Sequence, residues 1–167
     1  MESLFENRYI RNEAIFLEFY RRFRLLSPSW IFGYLLCAFS LYNFIICWIT
    51  YDFYDLTYLV GPALVPGVAW YVYRRDAKIA LRREIEINGV NPVANHIVVT
   101  ECGISSHYPN SSAGLSFTSI KKVRQSKNLI YLTTKAKITW IIPKATFTKG
   151  TADEFLTFLK SKGFKVR

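Results

Sequence analysis

The chain has 167 residues, a formal net charge of +10, 51% hydrophobic residues and 17% aromatics. That length holds one domain, or one small domain plus an addition. The three cysteines, Cys37, Cys47 and Cys102, show no CxxC and no paired framework, which suits a reducing compartment with unbridged thiols. The charge is unevenly spread: residues 74–167 carry 17 of the 22 Lys and Arg, whereas residues 30–73 carry none and only Asp52 and Asp55 as acids.

At the N-terminus, Leu4 to Ile10 reads as a short strand, and the sequence leaves open whether it joins a later sheet. Asn12 is placed as an N-cap, with Glu13 in the first turn favouring the helix dipole. Ile15, Phe19 and Phe23 then recur every four residues, with Phe16 and Tyr20 beside them and Glu18, Arg21 and Arg22 off that line. Such an amphipathic helix suits either the headgroup layer of a membrane or packing against the C-terminal domain.

Leu25 to Tyr51 is 27 residues without a formal charge, interrupted near its centre only by Ser40 and Asn43. A helix of about 20 residues crosses the hydrocarbon layer. A soluble helix would show a polar stripe here, and an aromatic-rich soluble core is the weaker reading. The run starts too late and is too long for a signal peptide. A second uncharged run, Leu56 to Tyr73, is 18 residues. At about 1.5 Å per residue it is just long enough to cross, with Pro62 and Pro66 expected to kink it or delay its start. The sequence therefore predicts a transmembrane hairpin, about 29–51 and 56–73. Arg21, Arg22 and Arg24 precede it, and Arg74, Arg75, Lys78, Arg82 and Arg83 follow it, while the turn at Asp52–Asp55 has no Lys or Arg. The positive-inside bias puts both termini in the cytoplasm. Trp30, Trp48, Tyr51, Tyr54, Tyr58, Trp70 and Tyr73 lie near the run ends, where aromatic belts form. These eight basic residues form a membrane-surface cluster facing the anionic inner leaflet.

Beyond Arg74 the helix is expected to continue to Asn88-Gly89 and Pro92. Strands follow: His96 to Thr100, a turn at Glu101–Gly103, and Ile104 to Tyr108. Asn110 to Gly114 reads as a loop. Leu115, Phe117 and Ile120 with Val123 read as the next strands, and Leu129–Thr133 and Ile138–Ile142 flank a turn at Lys135–Lys137. A closing helix over 152–162 begins with a capping box, Thr151 and Glu154, and ends before Gly163 at C′. The domains are then 1–28, 29–75 and 76–167. The fold class is an α+β membrane protein with a C-terminal, pleckstrin-homology-like antiparallel sheet domain capped by one helix.

His96 and His107 are the only histidines, with Glu101 and Cys102 the nearest candidate ligands or nucleophile. They lack metal-ligand spacing and an evident base, so no metal, cofactor or catalytic residue is expected. No phosphate-binding loop or nucleophile elbow occurs, and no charge lies inside the spans to anchor an ion pathway. Lys121, Lys122, Arg124 and Lys127 form a second basic group, suited to an acidic partner or lipid headgroup, or to a solvated strand edge kept soluble by lysine. No nucleic-acid module accompanies the charge, so nucleic acid is not expected.

HIVVTECGI at 96–104, LSFTSIKKV at 115–123 and IIPKATFTKGTADEFLTFLKSK at 141–162 resemble motifs of the YcxB-like family of small bacterial membrane proteins. One departure is Phe117, where that family often carries Trp. The resemblance implies two transmembrane helices in the bacterial cytoplasmic membrane and a sheet domain inside the cell. It implies no activity and no catalytic residues. The expected function is a non-enzymatic, multi-pass membrane protein that binds a protein partner or anionic lipid at the inner leaflet, strand addition at an exposed edge being one mode. The alternative is an immunity protein that neutralises a bacterial toxin. A homo-oligomer is left open.

Overall fold

The computed structural model describes residues 2–25, 27–51 and 55–166. It is an α+β structure of four helices and two antiparallel sheets, divided into two compact units. One unit combines Met1–Ile15 with Arg82–Arg167; the other is Phe16–Leu81.

The helical unit holds most of α1 (Glu13–Leu25), all of α2 (Pro28–Tyr51) and most of α3 (Thr57–Asn88). Among the described residues one helix is long and apolar enough to cross a membrane, Pro28–Thr50 of α2, with mean hydropathy 1.8 and none of its apolar window buried. Phe32, Leu35, Phe39, Tyr42 and Ile49 are more than half exposed along it. α3 starts at Thr57 and runs continuously through Pro62 and Pro66; of the expected kink or late start, the late start does not occur. Its start is set by Asp55, whose carboxylate accepts from the Thr57 amide at 2.9 Å and hydroxyl at 2.6 Å. Gly61, Pro62, Pro66 and Gly67, with Trp70, Tyr71 and Tyr73, dilute its aliphatic content. α2 and α3 lie side by side. The Ser40 hydroxyl donates to the Tyr58 carbonyl at 2.6 Å, and a Cβ on Gly33 would sit 3.7 Å from Val65. Both pairs fit one antiparallel alignment. Of the expected turn Asp52–Asp55 only Asp55 is described; Tyr54, and the side chains of Phe23, Arg24 and Tyr51, also lie outside the described residues.

In the sheet unit, β1 (Phe5–Arg11) comes from the N-terminus. β2 (Val93–Val99), β3 (Gly103–His107), β4 (Ser112–Ser116), β5 (Ile120–Gln125), β6 (Leu129–Thr134), β7 (Thr139–Pro143), β8 (Phe147–Lys149) and α4 (Ala152–Ser161) follow the helices. The sheets run β4-β3-β2-β1-β8 and β5-β6-β7. β1 is thus internal, paired with β2 from Phe5↔Val99 to Arg11↔Val93. It alternates as a half-buried strand should: Asn7 and Tyr9 face inward, Arg8 and Ile10 outward. The core sits between the sheets and α4, with Ile97, Val99, Ile104, Ile130, Leu132, Phe155 and Leu159 among its buried members. Ile15 of α1 packs on it.

Two local expectations are corrected and one strand is added. Residues 112–114, read as loop, begin β4, because pairing to β3 from Gly103↔Ser116 to His107↔Ser112 overrides the weak strand propensity of Ser, Ala and Gly. The two strands approach so closely at Gly103 that a Cβ there would lie 2.8 Å from the Leu115 carbonyl oxygen. Phe117 lies not in a strand but in a 3-10 turn, Phe117–Ser119, that carries the chain from one sheet to the other. β8, which no alternation announced, covers the β1 edge for three residues.

Candidate functional site

The site grows from one irregular strand and one helix end. In β5, Ile120 and Val123 are both buried although three residues apart, and Lys121 and Lys122 are both exposed. The register shifts between Ile120 and Lys122, so Lys121 is the extra residue of a β-bulge. A regular strand would send adjacent lysines to opposite faces; the bulge leaves both in the open.

The helix end supplies the opposite wall. Thr151 and Glu154 form the expected capping box, amide 154 to hydroxyl at 3.2 Å and amide 151 to carboxylate at 2.9 Å. At the other end the Gly163 amide donates to the Lys160 carbonyl and the Phe164 amide to the Leu159 carbonyl, with Gly163 at φ 88°. This is a Schellman motif, and it reverses the chain. Phe164 and Val166 pack on the core, and Val166 bridges Val123 in parallel. The tail therefore runs beside β5.

Between them lies a groove of about 480 Å³, lined by Lys121, Lys122, Val123, Arg124, Gly163, Phe164 and Lys165. Among the described residues, four cations and no carboxylate line it. Lysine ammoniums and the planar Arg124 guanidinium suit phosphate or carboxylate oxygens. Of the expected group, Lys121, Lys122 and Arg124 come together, whereas Lys127 is exposed in the β5–β6 turn and does not line the groove. Lys165 was not anticipated. The signals for it were the three-residue spacing of Ile120 and Val123, and Gly163 followed by an apolar Phe164.

The other basic residues lie on helices. Arg21 and Arg22 are exposed on α1, and Arg24 falls on α1 with its side chain outside the described residues. Arg74, Arg75 and Lys78 are exposed on α3 within the helical unit. Arg74 stacks over the Trp70 ring at 4.3 Å, and Arg75 lies 3.7 Å from the Asp76 carboxylate. Arg82 and Arg83 are exposed on the part of α3 in the sheet unit.

His96 and His107 face each other across β2 and β3, ring centres 6.3 Å apart, and Glu6 lies 3.3 Å from His96. Hydrogen bonds from Ser3 and then His96 hold the Glu6 carboxyl below its usual range. Glu101 and Cys102 sit at the opposite end of that hairpin, about 13 Å along the strand at ~3.3 Å per residue. Among the described residues no three ligand side chains converge on a metal position.

On the inner face, a polar network crosses the sheet unit. The buried Tyr9 hydroxyl donates to the Ile141 carbonyl at 2.7 Å and accepts from Asn95 at 3.0 Å. Asn95 accepts from Ser106 at 2.6 Å. Burial pushes the Tyr9 phenol up. Arg11 pairs with Glu84 and donates to the Tyr108 hydroxyl at 2.5 Å. Burial opposes its charge, but Tyr9, Tyr108 and Glu84 together push its pKa up. These contacts fasten the end of α3 to β1 and do not open onto the groove.

Among the described residues the fold is α+β, with one apolar helix of membrane-crossing length and a groove lined by four cations. Residues 99–159 match the family model described as YcxB-like protein, so the chain carries a YcxB-like segment from the end of β2 into α4, as its motifs implied. No curated protein and no solved structure matches the chain.

Proposed function

We propose that this is a non-enzymatic integral membrane protein whose sheet unit, pleckstrin-homology-like in its two antiparallel sheets closed by a helix, binds an anionic lipid or acidic protein partner at the inner leaflet. The observation that carries the reading is the groove itself: among the described residues four cations and no acid line it, assembled by a bulge and a reversed tail. The uncharged α2 supports a membrane anchor. The antiparallel approach of α3 to α2 supports a second, weaker span, making a hairpin with both termini in the cytoplasm of a bacterial cell.

A photocrosslinking residue at Lys121, in the full chain in native membranes, tests it. The expected result is an adduct with an anionic lipid or one defined protein. Lys122→Glu with Lys165→Glu should reduce that adduct about ten-fold or more, each removed charge near a lipid surface being worth roughly 1 kcal/mol. An adduct unchanged by the double reversal, or no adduct at all, would sink the proposal.

A further inference from the structure

Two open sheets have four edge strands, and three of them are covered. β5 carries Lys121 and Lys122 on a bulge and is bridged by Val166. β7 ends in Pro143, and its Ile141 and Pro143 carbonyls accept from Tyr9 and Asn7 of the other sheet. β8 is three residues long and ends in Lys149, whose ammonium reaches the Ser3 carbonyl. Bulges, lysines, proline and shortness are the devices by which edges avoid further pairing.

β4 has none of them. It is the outermost strand of the five-stranded sheet, and its sequence, Ser-Ala-Gly-Leu-Ser, is uncharged and free of proline. Every second residue of an edge strand turns its N–H and C=O outward. Beside that edge is a groove of about 570 Å³, lined by Ala113, Gly114, Thr118, Lys135, Ile138 and Trp140 among others. Ile138 is 61% exposed within it. A Cβ added at Gly114 would meet nothing within 4 Å, so there is room over the strand.

We propose that β4 receives an extended segment of a partner protein as an added strand, with an apolar side chain against Ile138 and Trp140 and an acidic residue at Lys135. Main-chain pairing supplies the affinity and the groove selects alternate side chains. The acidic preference follows from charge: among the described residues Lys135 is the one charged residue lining this groove, and no carboxylate lines it. A second copy of the chain, itself at +10, is the poorer occupant. The proposal rests on reading the sheet unit as a binding module but uses a different surface from the basic groove.

The test takes the full chain in phosphatidylcholine nanodiscs and follows hydrogen exchange at residues 112–116. The probe is a synthetic hexapeptide library with Val, Ile or Phe at its two centres and either Asp and Glu or Lys at its ends. Acid-ended members should slow exchange there about ten-fold, a protection that local pairing provides. Lys-ended members should not, nor should the acid-ended set N-methylated at alternate backbone nitrogens. Lys135→Glu should reverse the preference for end charge, and Lys122→Glu should leave it unaltered, which separates this surface from the basic groove. No slowing with any member, or equal slowing by the methylated set, overturns strand addition. Slowing without peptide that grows with protein concentration assigns the edge to a second copy and overturns the proposal as well.

Discussion

Tyr9 illustrates how much one side chain settles. Its hydroxyl gives the Ile141 carbonyl a partner and receives the Asn95 amide, joining the two sheets through a buried position. Tyr9→Phe should therefore cost about 1–3 kcal/mol, because it strands buried polar groups instead of removing them; the shift in denaturant midpoint of the full chain in detergent measures this. A midpoint equal to wild type would mean that water replaces the hydroxyl. The raised phenol pKa has a defined sign. The folded form holds its proton more tightly than the unfolded one, so this contribution is full below pH about 10 and is lost as pH rises through the folded value. Gly103→Ala should cost on the order of 1–3 kcal/mol, since the new Cβ meets the Leu115 carbonyl oxygen at 2.8 Å and backbone must give way. Thermal unfolding reads that loss. Neither role was legible in sequence: LFENRYI announces a strand, but not that its inward Tyr and Asn will meet carbonyls more than 130 residues away.

At the scale of elements, caps were the most readable feature. Asn12 accepts from the Ile15 amide at 3.1 Å as its position implied, and Thr151 with Glu154 forms the expected box. Thr151→Ala should cost about 1 kcal/mol, with much of the effect absent in a Glu154→Ala background because the two residues act together; a double-mutant cycle by thermal melting decides. Asp55 governs the start of α3. Hydrogen bonds first from the Thr57 hydroxyl and then from its amide hold this carboxyl below its ordinary 3.8. With the folded value depressed, the stabilisation is present above pH about 3.8 and fades as pH falls through the lower folded value. The Thr57 amide resonance should move along that titration, and Asp55→Ala should abolish the movement. β4 and β8 were the unreadable elements. Both are short, and neither shows apolar alternation, since their pairing with β3 and β1 supplies what propensity does not.

For the whole molecule, the question is where the charge lies relative to lipid. If both termini are cytoplasmic, Asp55→Cys and Lys165→Cys, each in a chain with the native cysteines changed to Ser, should label from opposite sides of intact cells with a membrane-impermeant thiol reagent. Labelling of both from one side would remove the hairpin. Among the described residues α2 alone has the length and apolarity of a span. In the proposed hairpin α3 would need its neighbour, because Gly and Pro within a lipid-facing helix rely on adjacent groups to satisfy freed backbone atoms. The Ser40 to Tyr58 bond is one such contact.

What the amino-acid order determined by itself was local or periodic: the uncharged helix, the caps, the strand-rich C-terminal half and the YcxB-like motifs. Tertiary structure alone decided which distant pieces meet. It made the N-terminal strand internal to a sheet formed after residue 90, brought Lys165 beside Lys121 and Lys122, left Lys127 outside the groove and put β4 at the sheet's edge. The reason is physical. Caps and periodicity act over a few residues and are written in consecutive side chains. Sheet order and groove walls depend on which apolar faces close over one another, and no short window of sequence contains that information.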